Sequence, residues 1–234
     1  MRAAGLAIRP QPFAAEAPSL RSILFVAVFL LAWVSLHPFG DLAAADALDL
    51  TSGNEAATYA LFALFAAVGG TIVWQSDRIA LRALANPTLL LLGAWLVVSV
   101  ATSQDVATSA KRFVLLACVT ATCASLFLLP QGRTHLARLL AIAAAILLVL
   151  SYGGVMLVPH LAVHQFGDLA EPDLAGKWRG VFPHKNDASA VFSMLVFIGI
   201  FIARSGYRHG GTAIAVASVV FVLFSGGKSS TLIC

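Results

Sequence analysis

The chain has 234 residues, enough for one or two soluble domains, but 59% of them are hydrophobic, only 11% are charged and the mean hydropathy is +0.89. Fifteen Lys and Arg with eleven Asp and Glu cannot cover a water-facing globule, and they fall in short clusters between long uncharged runs. An ordinary soluble domain is excluded, and the composition is that of a chain dissolved in a bilayer.

Taken in chain order, the stretches free of Asp, Glu, Lys and Arg occupy 22–40, 56–76, 83–104, 113–132, 139–159, 188–203 and 210–227, and hold 19, 21, 22, 20, 21, 16 and 18 residues. Since about 20 apolar residues at 1.5 Å rise cross the hydrocarbon core, the sequence predicts an all-α, polytopic transmembrane helical bundle of about seven spans, a single membrane domain over 1–234. The sixth run is short and the seventh is at the limit. The runs are continuous and rich in Leu and Ala, unlike the alternating ten-residue segments of a barrel.

Arg2, Arg9 and Arg21 precede the first run in the manner of a secretory signal. That run is long enough to cross, and Trp33 and His37 near its outer end suit an interface, so a retained first helix is expected. A net charge of +4 and a pI of 9.3 would suit nucleic acid, but the charges sort by side of the membrane instead. Arg2, Arg9, Arg21, Arg78, Arg82, Arg133, Arg138, Arg204 and Arg208 share one side with only Glu16 and Asp77, a net of +7. The other side holds Lys111, Arg112, Lys177, Arg179, Lys185 and Lys228 against nine acids, a net of −3. The positive-inside rule then puts the N-terminus in the cytoplasm and the acidic side outside, and no nucleic-acid partner is expected.

The connections are mostly short. Residues 38–55 carry Asp41, Asp46, Asp49 and Glu55 and read as an acidic outer spacer, while 103–112 is expected to lie along the outer surface before span 4. Arg78, Arg82, Arg133 and Arg138, with a turn at Pro130-Gln131-Gly132, read as inner anchors for lipid phosphates. Cys118, Cys123 and Cys234 form no disulfide or zinc pattern. Gly69-Gly70 and Gly153-Gly154 read as close helix contacts or bends. No repeat, P-loop or dinucleotide fingerprint is present.

The outer segment 160–187 differs in kind, with seven ionised groups, three histidines and the aromatics Phe166, Trp178 and Phe182. Basic residues are disfavoured outside, so Lys177, Arg179 and Lys185 within nine positions need a reason. One is an external anion: Asn186 or Asp187 caps span 6, the helix N-terminus points outward beside Lys185, and Arg179 adds a planar fork, together a pyrophosphate-sized cradle. The 16 uncharged residues of span 6 would put its outer end below the headgroups. The other reading is that Arg179 and Lys185 pair with Asp168, Glu171, Asp173 or Asp187 and simply fold the loop. His184 is either a general base or a hydrogen-bonding loop residue. His160 and His164, four apart, lack a third ligand at metal-site spacing, so no metal is expected.

The string Arg179-Gly180-Val181-Phe182-Pro183-His184-Lys185-Asn186 is followed by an apolar helix, a basic inner turn, a second apolar helix and Ser225-Gly226-Gly227-Lys228-Ser229-Ser230-Thr231. This order resembles the O-antigen ligase and exopolysaccharide polymerase superfamily over roughly 178–231, with only general hydropathy in common before that. The resemblance implies a multi-pass protein of the bacterial cytoplasmic (inner) membrane whose site faces the periplasm. It implies transfer of a glycan from undecaprenyl pyrophosphate to a lipid A core sugar (ligase) or to another lipid-linked glycan (polymerase). Neither a metal nor another cofactor is implied, and the partners are the lipid-linked glycan and membrane lipids. Carried over, Arg179 is the catalytic residue that binds and neutralises the leaving pyrophosphate, Lys185 and Lys228 contribute to pyrophosphate binding, and His184 and Asn186 support them.

Two departures stand out. Asp187-Ala188-Ser189 follows His-Lys-Asn where many relatives have a small residue or glycine, and relatives continue beyond this length into a large outer loop bearing the catalytic histidine. The chain is therefore expected to correspond to the N-terminal part of such an enzyme. The alternatives are a transporter or channel, which the uncharged span interiors disfavour, and a non-catalytic polytopic membrane subunit. The topology has a direct test. With Cys118, Cys123 and Cys234 replaced by Ser, a membrane-impermeant maleimide should label Asp173→Cys in intact cells and Thr134→Cys only after permeabilisation; the reverse pattern would invert the assignment.

Overall fold

The computed structural model describes residues 19–34, 38–40, 55–76, 87–168 and 172–227. Its elements are α1 (Leu20–Val34), α2 (Glu55–Ser76), α3 (Pro87–Ala101), α4 (Val106–Leu128), α5 (Arg133–Leu157), the single turn α6 (Pro159–Ala162), α7 (Lys185–Arg204) and α8 (Arg208–Ser225), with a 3-10 turn at Pro172–Leu174. Among the described residues the sole extended pairing is an isolated antiparallel bridge, Val163 to Trp178. The chain is all-α, as its continuous apolar runs require.

Among the described residues four helices, α4, α5, α7 and α8, are long and apolar enough to cross a membrane. The described 15 residues of α1 and of α3 each span about 22 Å at 1.5 Å per residue. Helix α2 has 22 residues, about 33 Å at the same rise. His37, Asp41, Asp46, Asp49, Arg78, Arg82, Glu171 and Lys228 lie outside the described residues.

Helix ends follow caps, not charges. Asp105 Oδ1 accepts the Thr108 N–H at 3.0 Å and starts α4, and its hydrogen bonds with Thr108 hold this carboxyl below the ordinary aspartate value. The stretch 103–112, expected along the outer surface, therefore feeds directly into the first turns of a 23-residue helix. In the same way α7 takes Lys185, Asn186 and Asp187 into its first turn and Arg204 into its last; Asp187 and Arg204 are favourable to the helix dipole and Lys185 is not. Its 20 residues span about 30 Å and enclose the 16-residue uncharged run 188–203, with Lys185 to Asp187 added at one end and Arg204 at the other.

The chain divides into two compact units. One comprises Leu20–Phe29 and Ser52–Gln131. Within it α2 and α3 both pack on α4. The Thr122 hydroxyl, 2.8 Å from Cys118 O in its own helix and 3.2 Å from Phe62 O, links α4 to α2. Helix α3 has no buried residue and exposes Leu89, Leu90, Leu91, Leu92 and Trp95, a surface suited to lipid.

The other unit comprises Met1–Ser19, Leu30–Thr51 and Gly132–Cys234, and its described part is centred on α5, α7 and α8. Its core includes Leu147, Val181, Phe182, Phe192, Leu195, Ile202 and Phe221. A Cβ on Gly199 would lie 2.7 Å from both Ala215 N and Gly211 O, and one on Gly211 would strike the backbone of Ala203, so α7 and α8 touch main chain to main chain. Gly154 is instead covered by side chains, the Phe39 ring and Ala162 Cβ, whereas Gly153 and Gly70 face open space. At the other end of the hairpin Arg133 Nε donates to Ser205 Oγ at 3.2 Å and its guanidinium lies 5.6 Å above Phe201, protein contacts for a residue expected to anchor on lipid.

The hairpin contact predicts a contrast between adjacent glycines. Gly211→Ala should destabilise the protein by about 1–3 kcal/mol through overpacking, while Gly210→Ala, with nothing within 4 Å of the added carbon, should not. Reversible unfolding in detergent measures both, and equal effects would contradict the main-chain contact.

Candidate functional site

The singled-out segment is built on an antiparallel clip. His164 N donates to Lys177 O and Gly176 N to His164 O, each at 2.9 Å, and the amides of Arg179 and Gly180 both donate to Ala162 O at 2.9 Å. The chain then reverses, with Phe182 N donating to Arg179 O at 3.1 Å. Gly180 makes this possible. Its φ is +58, and a Cβ there would lie 2.8 Å from Ser151 Cβ and 3.0 Å from the Phe221 ring.

Arg179 is 1% exposed and turns inward. Its Nη2 donates to Gly40 O at 2.7 Å, and its Nη1 to Phe182 O and Pro183 O at 3.5 and 3.4 Å. The guanidinium thus gathers carbonyls from the turn after α1 and from its own loop. Phe39 N donates to Val181 O at 3.3 Å, and Phe39 has a φ of +59, so the same turn is fastened twice to the loop.

The two sequence segments that carried the resemblance meet here. Trp178 N donates to Phe224 O at 3.3 Å, and the two rings stack with centroids 4.4 Å apart. Trp178 also meets Phe221 and Tyr152 edge-on at 5.5 and 5.8 Å, and Phe221 stacks on Phe192 at 3.9 Å. Lys177 lies across Gly226, its Nζ 3.0 Å from where a Cβ would stand. Gly226, at φ +63, ends α8, so this ammonium sits at the negative end of the helix dipole. Lys228 lies just beyond the described residues.

At the start of α7 the expected cap is corrected. His184, in extended conformation, is the N-cap and its Nδ1 accepts the Asn186 N–H at 3.0 Å; Asn186 and Asp187 are first-turn residues. Position decides over residue preference, because the cap must stand just outside the first turn. Lys185 is half-buried and Asn186 and Asp187 are exposed. A cavity of about 320 Å³ beside this turn is lined by Trp33, Phe182, Pro183, Asp187 and Val191.

Asp168, considered above as a partner for Arg179 or Lys185, pairs with His164 instead, Oδ2 to Nδ1 at 3.0 Å, and also accepts the Gln165 N–H at 3.1 Å. His164 is 2% exposed, and burial lowers its pKa below the ordinary histidine value, against the raising effect of its hydrogen bond to Asp168. Its ring meets that of His184 edge-on at 5.4 Å. Nothing local signalled this pair, nor Gly40, Tyr152 or Phe221. Among the described residues no group of three His, Cys, Asp or Glu is placed to hold a metal.

Comparison of the chain with models of protein families, with curated proteins and with solved structures finds no match. Chemically, the geometry offers a loop held from below by a buried guanidinium and capped by the positive end of α7. Gly180→Ala should cost about 1–3 kcal/mol from backbone strain with a similar amount from the collision. Gly176→Ala, at φ +83 but with open space around it, should show the strain alone. Thermal unfolding of the two variants in detergent measures the difference, and equal losses would mean that the packing against Ser151 and Phe221 is not limiting.

Proposed function

We propose that the chain is an O-antigen ligase-like membrane glycosyltransferase that moves a glycan from an undecaprenyl-pyrophosphate donor to a lipid A core sugar or another lipid-linked glycan. In this reading it crosses the inner membrane about seven times, with the N-terminus in the cytoplasm and the loop 160–187 in the periplasm. The observation that carries it is the junction of the two motif segments, about 40 residues apart in sequence, through Trp178 on Phe224 and Lys177 on Gly226.

In such a site the donor already carries a good leaving group, and the protein's part is to stabilise the charge that develops on it. Lys185 and the N-terminal end of α7 face that charge, and Lys228 joins them from the second motif. Arg179 fixes the loop from inside and adds its positive charge from beneath, with Asn186 and His184 setting the first turn of α7. Asp187, a carboxylate in the same turn, opposes the anion and competes for Lys185, which weakens this cradle.

A second reading, a non-catalytic membrane subunit, draws support from the three carbonyls on Arg179, since an arginine so engaged can serve the loop alone. Lys185 separates the two. With polyprenyl-pyrophosphate-linked glycan from the source membranes, Lys185→Gln should reduce transfer about 10-fold or more, the size of one charge-assisted contact, with an unchanged thermal midpoint. Arg179→Ala should abolish transfer while membrane insertion persists. Wild-type rates in both variants would sink the transferase reading.

A further inference from the structure

The cavity at the start of α7 has no part in the function proposed above, yet it adjoins the turn that does. Its walls include Trp33 and Val34 from the end of α1, Phe182 and Pro183 from the loop, and Asp187 and Val191 from the first turns of α7, all within the larger unit. Val34 and Phe182 are buried and Trp33 is half-buried, so the walls are firm and apolar. The one charged group among these lining residues is the exposed carboxylate of Asp187. Among the described residues no ion pair or hydrogen bond engages that carboxylate, so neither Lys185 nor Arg179 has claimed it.

The mixture of rings and a single carboxylate selects the occupant. An acyl or isoprenoid chain would suit the apolar walls but would take water from an ionised group and give nothing back. A cation would gain from Asp187 and from the Trp33 ring, but Asp187 shares its turn with Lys185 and with the positive end of α7, which offset its charge. An anion would meet the carboxylate directly. A sugar ring suits every wall at once: its C–H face lies on an aromatic ring, and its hydroxyls donate charge-assisted hydrogen bonds to Asp187 without bringing charge of their own. The volume of about 320 Å³ falls at the small end of the range of about 300–1,000 Å³ for small-molecule sites.

We infer that this cavity is the subsite for a neutral sugar unit of the lipid-linked glycan, with Trp33 against the ring and Asp187 accepting from its hydroxyls; this rests on the transferase reading. The inference gives a use to the carboxylate that weakens the cradle. While the glycan is attached, its hydroxyls occupy Asp187 and the pyrophosphate stays beside Lys185. Once the glycan has moved to the acceptor, the pyrophosphate has gained a negative charge and Asp187 has lost its hydroxyls, so the carboxylate opposes the spent lipid. Asp187 thus favours the loaded donor over the bare carrier.

The test measures binding to the full protein in nanodiscs, with two ligands: glycan-bearing polyprenyl pyrophosphate from the source membranes, and the same lipid stripped of its glycan. The wild type should hold the first about 10-fold or more tighter than the second, the size of one charge-assisted hydrogen bond. Asp187→Asn should lose most of that preference while holding the stripped lipid as tightly as the wild type or tighter, since the opposing charge is gone. Trp33→Leu should lose the preference as well, and thermal midpoints report the folding of both variants. Equal wild-type affinities, a preference kept by both folded variants, or parallel loss of both ligands in Asp187→Asn would overturn the subsite, while transfer by the wild type would still uphold the transferase reading. A glycan preference that depends on Trp33 and Asp187 in a protein that performs no transfer would instead overturn the transferase reading and leave the sugar site in place.

Discussion

A guanidinium that leaves water must be met by acceptors, and the loop before α7 in the larger helical unit is arranged around that demand. Leaving such a charge buried without its partners costs several kcal/mol. The chain therefore brings three carbonyls to Arg179: one from the turn after α1 and two from the loop itself. Supplying them forces local conformations that are unfavourable on their own. Gly180 takes a positive φ so that the chain doubles back, and Phe39 takes one as well, at about 1–3 kcal/mol for a residue with a side chain. The strain persists because the hydrogen bonds and the packing around it fix both turns at once.

Around this polar centre the loop is held by rings. Trp178, Tyr152, Phe192, Phe221 and Phe224 form a continuous aromatic wall in which each contact is stacked or edge-on. Such pairs contribute about 0.5–1.5 kcal/mol each beyond the area they bury. The one hydroxyl in the wall, that of Tyr152, donates to Ala217 O at 2.8 Å and so leaves no polar atom stranded. The wall joins α5, α7 and α8, which is why a loop rich in charge sits firmly on helices made almost entirely of apolar residues.

The helices were legible in the sequence because a chain in hydrocarbon must satisfy its backbone within each segment, and that leaves long uncharged runs. Their ends were not, since a run is bounded by charge and a helix by its cap: Asp105 and His184 start α4 and α7 at places that charge counting misses. Arg179 and Lys185 drew notice because basic residues are rare on an outer face. The inward turn of Arg179 was hidden, because its shortest hydrogen bond goes to Gly40, 139 residues earlier. The pairing of His164 with Asp168 was not legible, because the sequence set His164 with His160 and offered Asp168 to Arg179 or Lys185, and only the turn at 165–168 in the folded clip brings the carboxylate onto the ring.

The main-chain contact between Gly199 and Gly211 makes the hairpin of α7 and α8 act as a gauge. One motif leads into α7 and the other closes α8, and the 20 and 18 residues between them are joined by the short turn at Ser205 to Tyr207. Helices that touch backbone to backbone cannot slide past each other, so the distance from Trp178 to Phe224 is set by residue count as much as by side chains. One residue added to either helix would turn everything beyond it by about 100° and shift it by about 1.5 Å. Such a segment can drift freely in sequence on its lipid-facing side, but it has no freedom in length.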